Sequence, residues 1–278
     1  MSDDAPAHRS APGAHRGSHP RSAAFFDLDK TIIATSSATA FSRGFLAEGL
    51  LTRRNVLRTA VAQLLYLMGG ADAAQTERLR ASLSRTVTGW PTEQVSQIVA
   101  ETLHEAIDPT VYAEAVDLIA EHHAAGRDVV IVSASGSEIV EPIAAVLGAD
   151  HVVATRMQVV DGRYTGEIDF YAYGENKARA IRELAGTHGY DLAECYAYSD
   201  SITDAPMLGT VGHGFAVNPD RALRRLAAES GWGVLTFRRP VPLFAFDREA
   251  RVASAVVVGA AVAGVVAWWW WRRCTRPR

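Results

Sequence analysis

Ala24-Phe25-Phe26-Asp27-Leu28-Asp29-Lys30-Thr31 decides how the rest of the chain is read. A short apolar run ends in two carboxylates that flank a single residue. Such a run, stopping at a polar turn, reads as a buried strand reaching the edge of its sheet. Side chains alternate along a strand, but the chain bends as it leaves the sheet, so Asp27 and Asp29 can both reach the space above the strand end. Open α/β sheets bind ligands there, beyond the carboxyl ends of the strands. Two carboxylates so close repel unless positive charge lies beside them. Taken alone, the octet also fits a strand closing in an Asp-containing turn.

Working outward, residues 1–21 are rich in Ala, Pro, Gly, Ser, His and Arg, with no apolar period, and read as a disordered tail without a secretory h-region. His8, His15 and His19 within it read as solvated. The stretch 36–107 reads as helical almost throughout, with helices expected at Leu51–Met68, Asp72–Val87 and Thr92–Glu105. It interrupts a strand–helix alternation and is expected to be an inserted helical cap. Val56–Met68 is apolar on several sides and too short to span a bilayer. It reads as cap core, or as a greasy wall that receives an acyl chain.

From Asp108 the alternation resumes. A helix is expected over Pro109–Ala125 and a buried strand over Asp128–Val132, ending in Ser133-Ala134-Ser135-Gly136. A helix to Leu147 follows, then a hairpin of Val152–Val160 and Arg163–Ile168 turning at Asp161-Gly162. Next come a helix over Gly174–His188 and a strand over Glu194–Tyr198, which runs into Ser199-Asp200-Ser201-Ile202-Thr203-Asp204. A strand at Gly214–Val217, a helix after Asn218-Pro219-Asp220 and an edge strand in Trp232–Phe237 complete the pattern. Strands alternating with helices give a doubly wound, Rossmann-like parallel sheet built from 22–35 and 108–237.

A linker, 238–251, leads to Val252–Trp271, twenty residues without a charge that end in four tryptophans, and then to a basic tail, 272–278. That length spans a hydrocarbon core, and Trp belongs at its interface, so a C-terminal transmembrane helix is expected rather than a buried terminal one. The arginines on its two sides nearly balance. The catalytic part is expected on the cytoplasmic side of a single-pass anchor. The chain of 278 residues is 48% hydrophobic, with a net charge of -3 and a pI near 6.3. No basic field points to nucleic acid. Cys195 and Cys274 fit neither a zinc nor a disulfide framework.

In a parallel sheet the strand ends share one side. Asp27, Asp29, Ser133, Asp200 and Asp204 can therefore converge there, with Lys177 from the helix Gly174–His188. Several carboxylates around one point need a cation, and all-oxygen donors without His or Cys favour Mg²⁺. Carboxylates, Mg²⁺, a lysine and a hydroxyl together suit phosphoryl transfer.

These residues resemble, in order, the four motifs of the haloacid dehalogenase superfamily: Asp27-Leu28-Asp29-Lys30-Thr31, Ser133, Lys177 in Gly174-Glu175-Asn176-Lys177-Ala178, and Asp200-Ser201-Ile202-Thr203-Asp204. The helical insert after the first motif resembles the cap of the phosphoserine-phosphatase-like subfamily IB. The resemblance implies that Asp27 is the nucleophile and Asp29 the acid and base, with Ser133 on a phosphoryl oxygen and Lys177 balancing charge. It implies Mg²⁺ held by Asp27, Asp200 and the Asp29 main-chain carbonyl, with Asp204 in support. One departure concerns the substrate. Where phosphoserine phosphatases carry a glutamate for the substrate ammonium, this chain has Ser36, and no alignment fixes Arg80 or Arg85 as the carboxylate grip. A lipid phosphate is the expected substrate class. A small phosphorylated metabolite, transfer to an acceptor alcohol and a non-enzymatic membrane-anchored regulator are the alternatives. The oligomeric state is not legible.

Overall fold

The computed structural model describes residues 21–51, 81, 84–107 and 110–240. The strands are β1 (Ala23–Phe26), β2 (Asp128–Gly136), β3 (His151–Val160), β4 (Arg163–Phe170), β5 (Tyr196–Ser199), β6 (His213–Val217) and β7 (Gly233–Leu235). The helices are α1 (Ser37–Ala40), α2 (Ser42–Ala47), α3 (Thr92–Ile107), α4 (Ala113–Ala124), α5 (Ser137–Leu147), α6 (Glu175–His188), α7 (Ala205–Leu208) and α8 (Arg221–Ser230).

The strands form one sheet in the order β4-β3-β2-β1-β5-β6-β7. Every pairing is parallel except that of β3 with β4. The expected α/β sheet is thus present, with β1 at its centre. Alternation splits β1 between two cores: Ala23 and Phe25 pack with Ile181 and Leu208, while Ala24 and Phe26 pack with Ile131 and Ile143. Both phenylalanines are fully buried, worth roughly 2–3 kcal/mol each. With both faces covered, only the strand's end is left to meet a ligand.

The Asp161-Gly162 hairpin turns where expected, with φ of 49° and 71°, the double positive φ of a two-residue type I′ loop. Other boundaries shift for physical reasons. Arg21, expected in the N-terminal tail, is tied to the sheet, its guanidinium pairing with Asp128 at 2.7 Å. The helix expected from Pro109 starts at Ala113, because the preceding backbone is engaged with the loop after β1: Ala34 N donates to Thr110 O and Tyr112 N to Ile32 O. β2 runs past Val132 to Gly136 with a break in register: Ser133 faces Ala154, yet Gly136 faces Thr155.

α3 lies in the same core as α5, through Ile98 and Val99 against Val140 and Ile143. The insert's return is tied to the hairpin, since Gly89 N donates to Tyr164 O and Tyr164 N to Trp90 O. The helices expected over Leu51–Met68 and Asp72–Val87 fall wholly or largely outside the described residues, as do the tail 1–20, most of the linker and the span 252–271. Among the described residues no helix is long and apolar enough to cross a membrane. The last of them leave beside α4: the Glu114 carboxylate accepts from the backbone amides of Arg238 and Arg239, and Tyr112 bridges Pro240. Since 110–112 also pair with 32–34, the chain departs on the side of the sheet where β1 ends.

Candidate active site

The backbone after Phe26 folds over at once. Leu28 O accepts from Ile32 N at 3.0 Å and from Ile33 N at 3.1 Å, and Lys30 takes φ 61°, a left-handed conformation uncommon for lysine. This turn lets the two carboxylates of the octet face different partners.

Asp27 is buried at the end of β1. The Lys177 ammonium, from the first turn of α6, donates to Asp27 Oδ1 and to Asp204 Oδ2, each at 2.7 Å. Ser199, at the end of β5, donates to the same Asp204 oxygen at 2.7 Å, and Thr31 donates to Asp27 Oδ2 at 3.3 Å. Of the residues expected at the site, the structure brings Asp27, Lys177 and Asp204 into contact. Sequence reading gave no role to Thr31, the last residue of the first motif, or to Ser199, which precedes the fourth. Burial pulls the Lys177 pKa down, but Asp204 and Asp27 more than reverse this, so the amine stays charged.

Asp29 turns the other way. Its Oδ1 accepts from the Ser37 amide at 2.8 Å and its Oδ2 from the Ser135 hydroxyl at 3.2 Å. Burial raises its carboxyl above the ordinary value, and hydrogen bonds from Ser37 and Ser135 draw it part of the way back. A carboxyl whose hold on a proton is strengthened in this way is suited to giving and taking one. Ser133 is buried on β2, and its Oγ accepts from the Ser135 amide at 3.2 Å.

Asp200 follows β5, and burial pushes its carboxyl up to about 6, with Lys30 opposing and Asp204 adding to the rise. Asp27 is raised well above its ordinary value by burial, and Asp204, Asp200 and Asp29 add to the rise against the pull of Lys177. Among the described residues no three His, Cys, Asp or Glu side chains close on one point. The implied set is narrower, two carboxylates and the Asp29 main-chain carbonyl. It fits a hard cation: every donor is oxygen, and negative charge outweighs the one buried ammonium.

The family model for haloacid dehalogenase-like hydrolases matches residues 24–209. A Streptomyces azureus protein named for inhibition of morphological differentiation is 63% identical over 232 residues, 83% of this chain and 84% of its own. A probable phosphatase of Mycobacterium tuberculosis is 56% identical over 262 residues, 92% and 91% of the two chains. A protein of the same organism named phosphoserine phosphatase is 36% identical over 218 residues, 78% and 71% of the two. Among solved structures, a Bordetella pertussis Tohama I protein of unknown function has a TM-score of 0.69 at 28% identity, over 78% of this chain and 99% of that one. A phosphoserine phosphatase bearing a phospho-aspartyl intermediate analogue shares the fold, with a TM-score of 0.57 at 21% identity over 80% and 95% of the two chains.

Proposed function

The chain belongs to the haloacid dehalogenase-like hydrolases and is a phosphoric monoester hydrolase among them, and we propose that it works through a phosphoryl group held on Asp27. The observation that carries this reading is the buried Lys177 bridging Asp27 and Asp204 at the strand ends. A carboxylate held in place is an adequate nucleophile for phosphorus. As the Asp27–phosphorus bond forms, the bond to the leaving oxygen breaks, and Asp29 gives that oxygen its proton. Water then attacks the aspartyl-phosphate, Asp29 takes the water's proton, and inorganic phosphate and free Asp27 result. Lys177 neutralises charge on Asp27 and the phosphoryl group, and Ser133 donates to a phosphoryl oxygen. Asp27, Asp200 and the Asp29 carbonyl would hold Mg²⁺, which supplies further neutralisation of the phosphoryl charge when bound.

A lipid phosphate is the substrate class we favour. It is supported by the departure of 238–240 on the catalytic side of the sheet, since an anchor at 252–271 after that exit would hold the site close to a bilayer with the catalytic part in the cytoplasm. Ser36, where a glutamate would meet the phosphoserine ammonium, supports the same choice. The rival is a small phosphorylated metabolite, with the anchor serving location alone. A screen of lipid, sugar and amino-acid phosphates, with and without Mg²⁺, tests both. Faster turnover of phosphatidylglycerophosphate or lysophosphatidate than of phosphoserine is expected, and the reverse ranking removes the lipid reading. Asp27→Asn should abolish all Mg²⁺-dependent turnover; substantial residual hydrolysis would overturn the nucleophile.

A further inference from the structure

Ser135 hydrogen-bonds both the Asp29 carboxyl and the Ser37 hydroxyl at the root of the helical insert. Its position arises from the break in β2. The β2–β3 register passes from Ser133 directly to Gly136, leaving Ala134 and Ser135 out of the ladder. Thr155 Oγ1 holds the bulge by donating to Ala134 O at 2.7 Å. Bulges of this kind re-aim side chains beside active sites. Here the Ser135 hydroxyl donates to Asp29 Oδ2, and its oxygen lies 2.8 Å from the Ser37 hydroxyl. Either hydroxyl can be the donor of that pair, and both side chains bear on the Asp29 carboxyl. Ser37 is buried, opens α1, and also gives its amide to Asp29 Oδ1.

We propose that Ser135 is a positioning residue that, together with Ser37, orients the Asp29 carboxyl for proton delivery to the leaving oxygen. The inference rests on the proposed role of Asp29 as acid. The Ser37 amide can only donate, which favours Oδ1 as the unprotonated acceptor and leaves the transferable proton to Oδ2, whose partner is a hydroxyl. The Ser135 hydroxyl fills one lone pair of Oδ2 and leaves the other for that proton. Since Ser37 belongs to the first turn of the insert, the acid is aligned only while the root of the insert is docked on the bulge.

The chemistry supplies a test that packing alone would not pass. A good leaving group departs without a proton, while an alkoxide needs one. In the full chain, Ser135→Ala should lower kcat/KM for an alkyl monoester such as glycerol 2-phosphate by about tenfold or more, a fraction of what general acid catalysis supplies. It should leave p-nitrophenyl phosphate, with its weakly basic leaving group, within about twofold. Ser37→Ala should show the same selectivity, and Ser135→Thr, which keeps the hydroxyl, should restore alkyl turnover. Equal losses on both substrates, or no loss on either, overturn the proposal, as does failure of the threonine to rescue. Asp29→Asn is the control. Should that variant lack the same selectivity, the acid itself is misassigned; should it show the selectivity while Ser135→Ala does not, only the positioning role falls.

Discussion

The Lys177 ammonium donates to Asp27 Oδ1 across 150 positions of sequence, and both side chains are almost wholly buried, 3% and 9% exposed. Breaking a buried pair by deleting one member leaves the other charge without compensation, at roughly 3–5 kcal/mol. Lys177→Met should therefore lower stability by about 3 kcal/mol in urea titrations and kcat by at least about a hundredfold. A variant of native stability and activity would show that the pair matters to neither.

His122 offers a pH dependence independent of the active site. Arg127 Nε donates to its Nδ1 at 2.6 Å, so Nε2 carries the proton shared with the Tyr198 hydroxyl at 2.9 Å. Burial, with Arg127 and His123 beside it, pushes its pKa from 6.5 down to about 4. Between those values the unfolded chain binds a proton that the folded chain refuses. Stability should fall as pH drops from 6.5 toward 4, and this group contributes no slope above that window. Urea midpoints at pH 7 and pH 5 should differ less in His122→Gln than in wild type; an unchanged difference would contradict the assignment.

Metal removal probes the acidic set. Dialysis against EDTA should abolish phosphatase turnover, and Mg²⁺ should restore it. Asp200→Asn should raise the Mg²⁺ concentration needed for half-maximal rate by about tenfold or more, since ligand charge sets affinity for hard cations. Full activity after chelation would exclude the proposed cofactor.

Gly212 lies in the turn before β6, and a Cβ there would collide with the backbone carbonyl of Ala193. That neighbour is backbone and cannot swing aside. Gly212→Ala should cost about 1–3 kcal/mol of stability, read from thermal or urea unfolding, because overpacking forces the two segments apart. Wild-type stability would mean that the approach is looser than described.

Much of this arrangement was legible because it is local. The octet announced β1 and its two carboxylates, Asp161-Gly162 announced the hairpin, and Asp220 caps α8 by accepting from Leu223 N. Lys177 and Asp204 were legible because parallel strands and their following helices present their ends on one side. The partners of Asp29 were not. Ser37 and Ser135 lie 98 positions apart, and their meeting depends on a bulge that reads in sequence as a simple turn. Ser199 was likewise hidden, since a serine closing a strand looks the same whether or not its hydroxyl reaches a carboxylate four positions past its neighbour.

The central claim is a covalent bond between Asp27 and phosphorus. Acid quench during turnover, borohydride reduction and peptide mass analysis should convert Asp27 to homoserine in the wild-type chain, in the presence of Mg²⁺ and substrate, and at no other aspartate. Turnover at a rate matching wild type with no trapped adduct on Asp27, or an adduct on another residue, would contradict it.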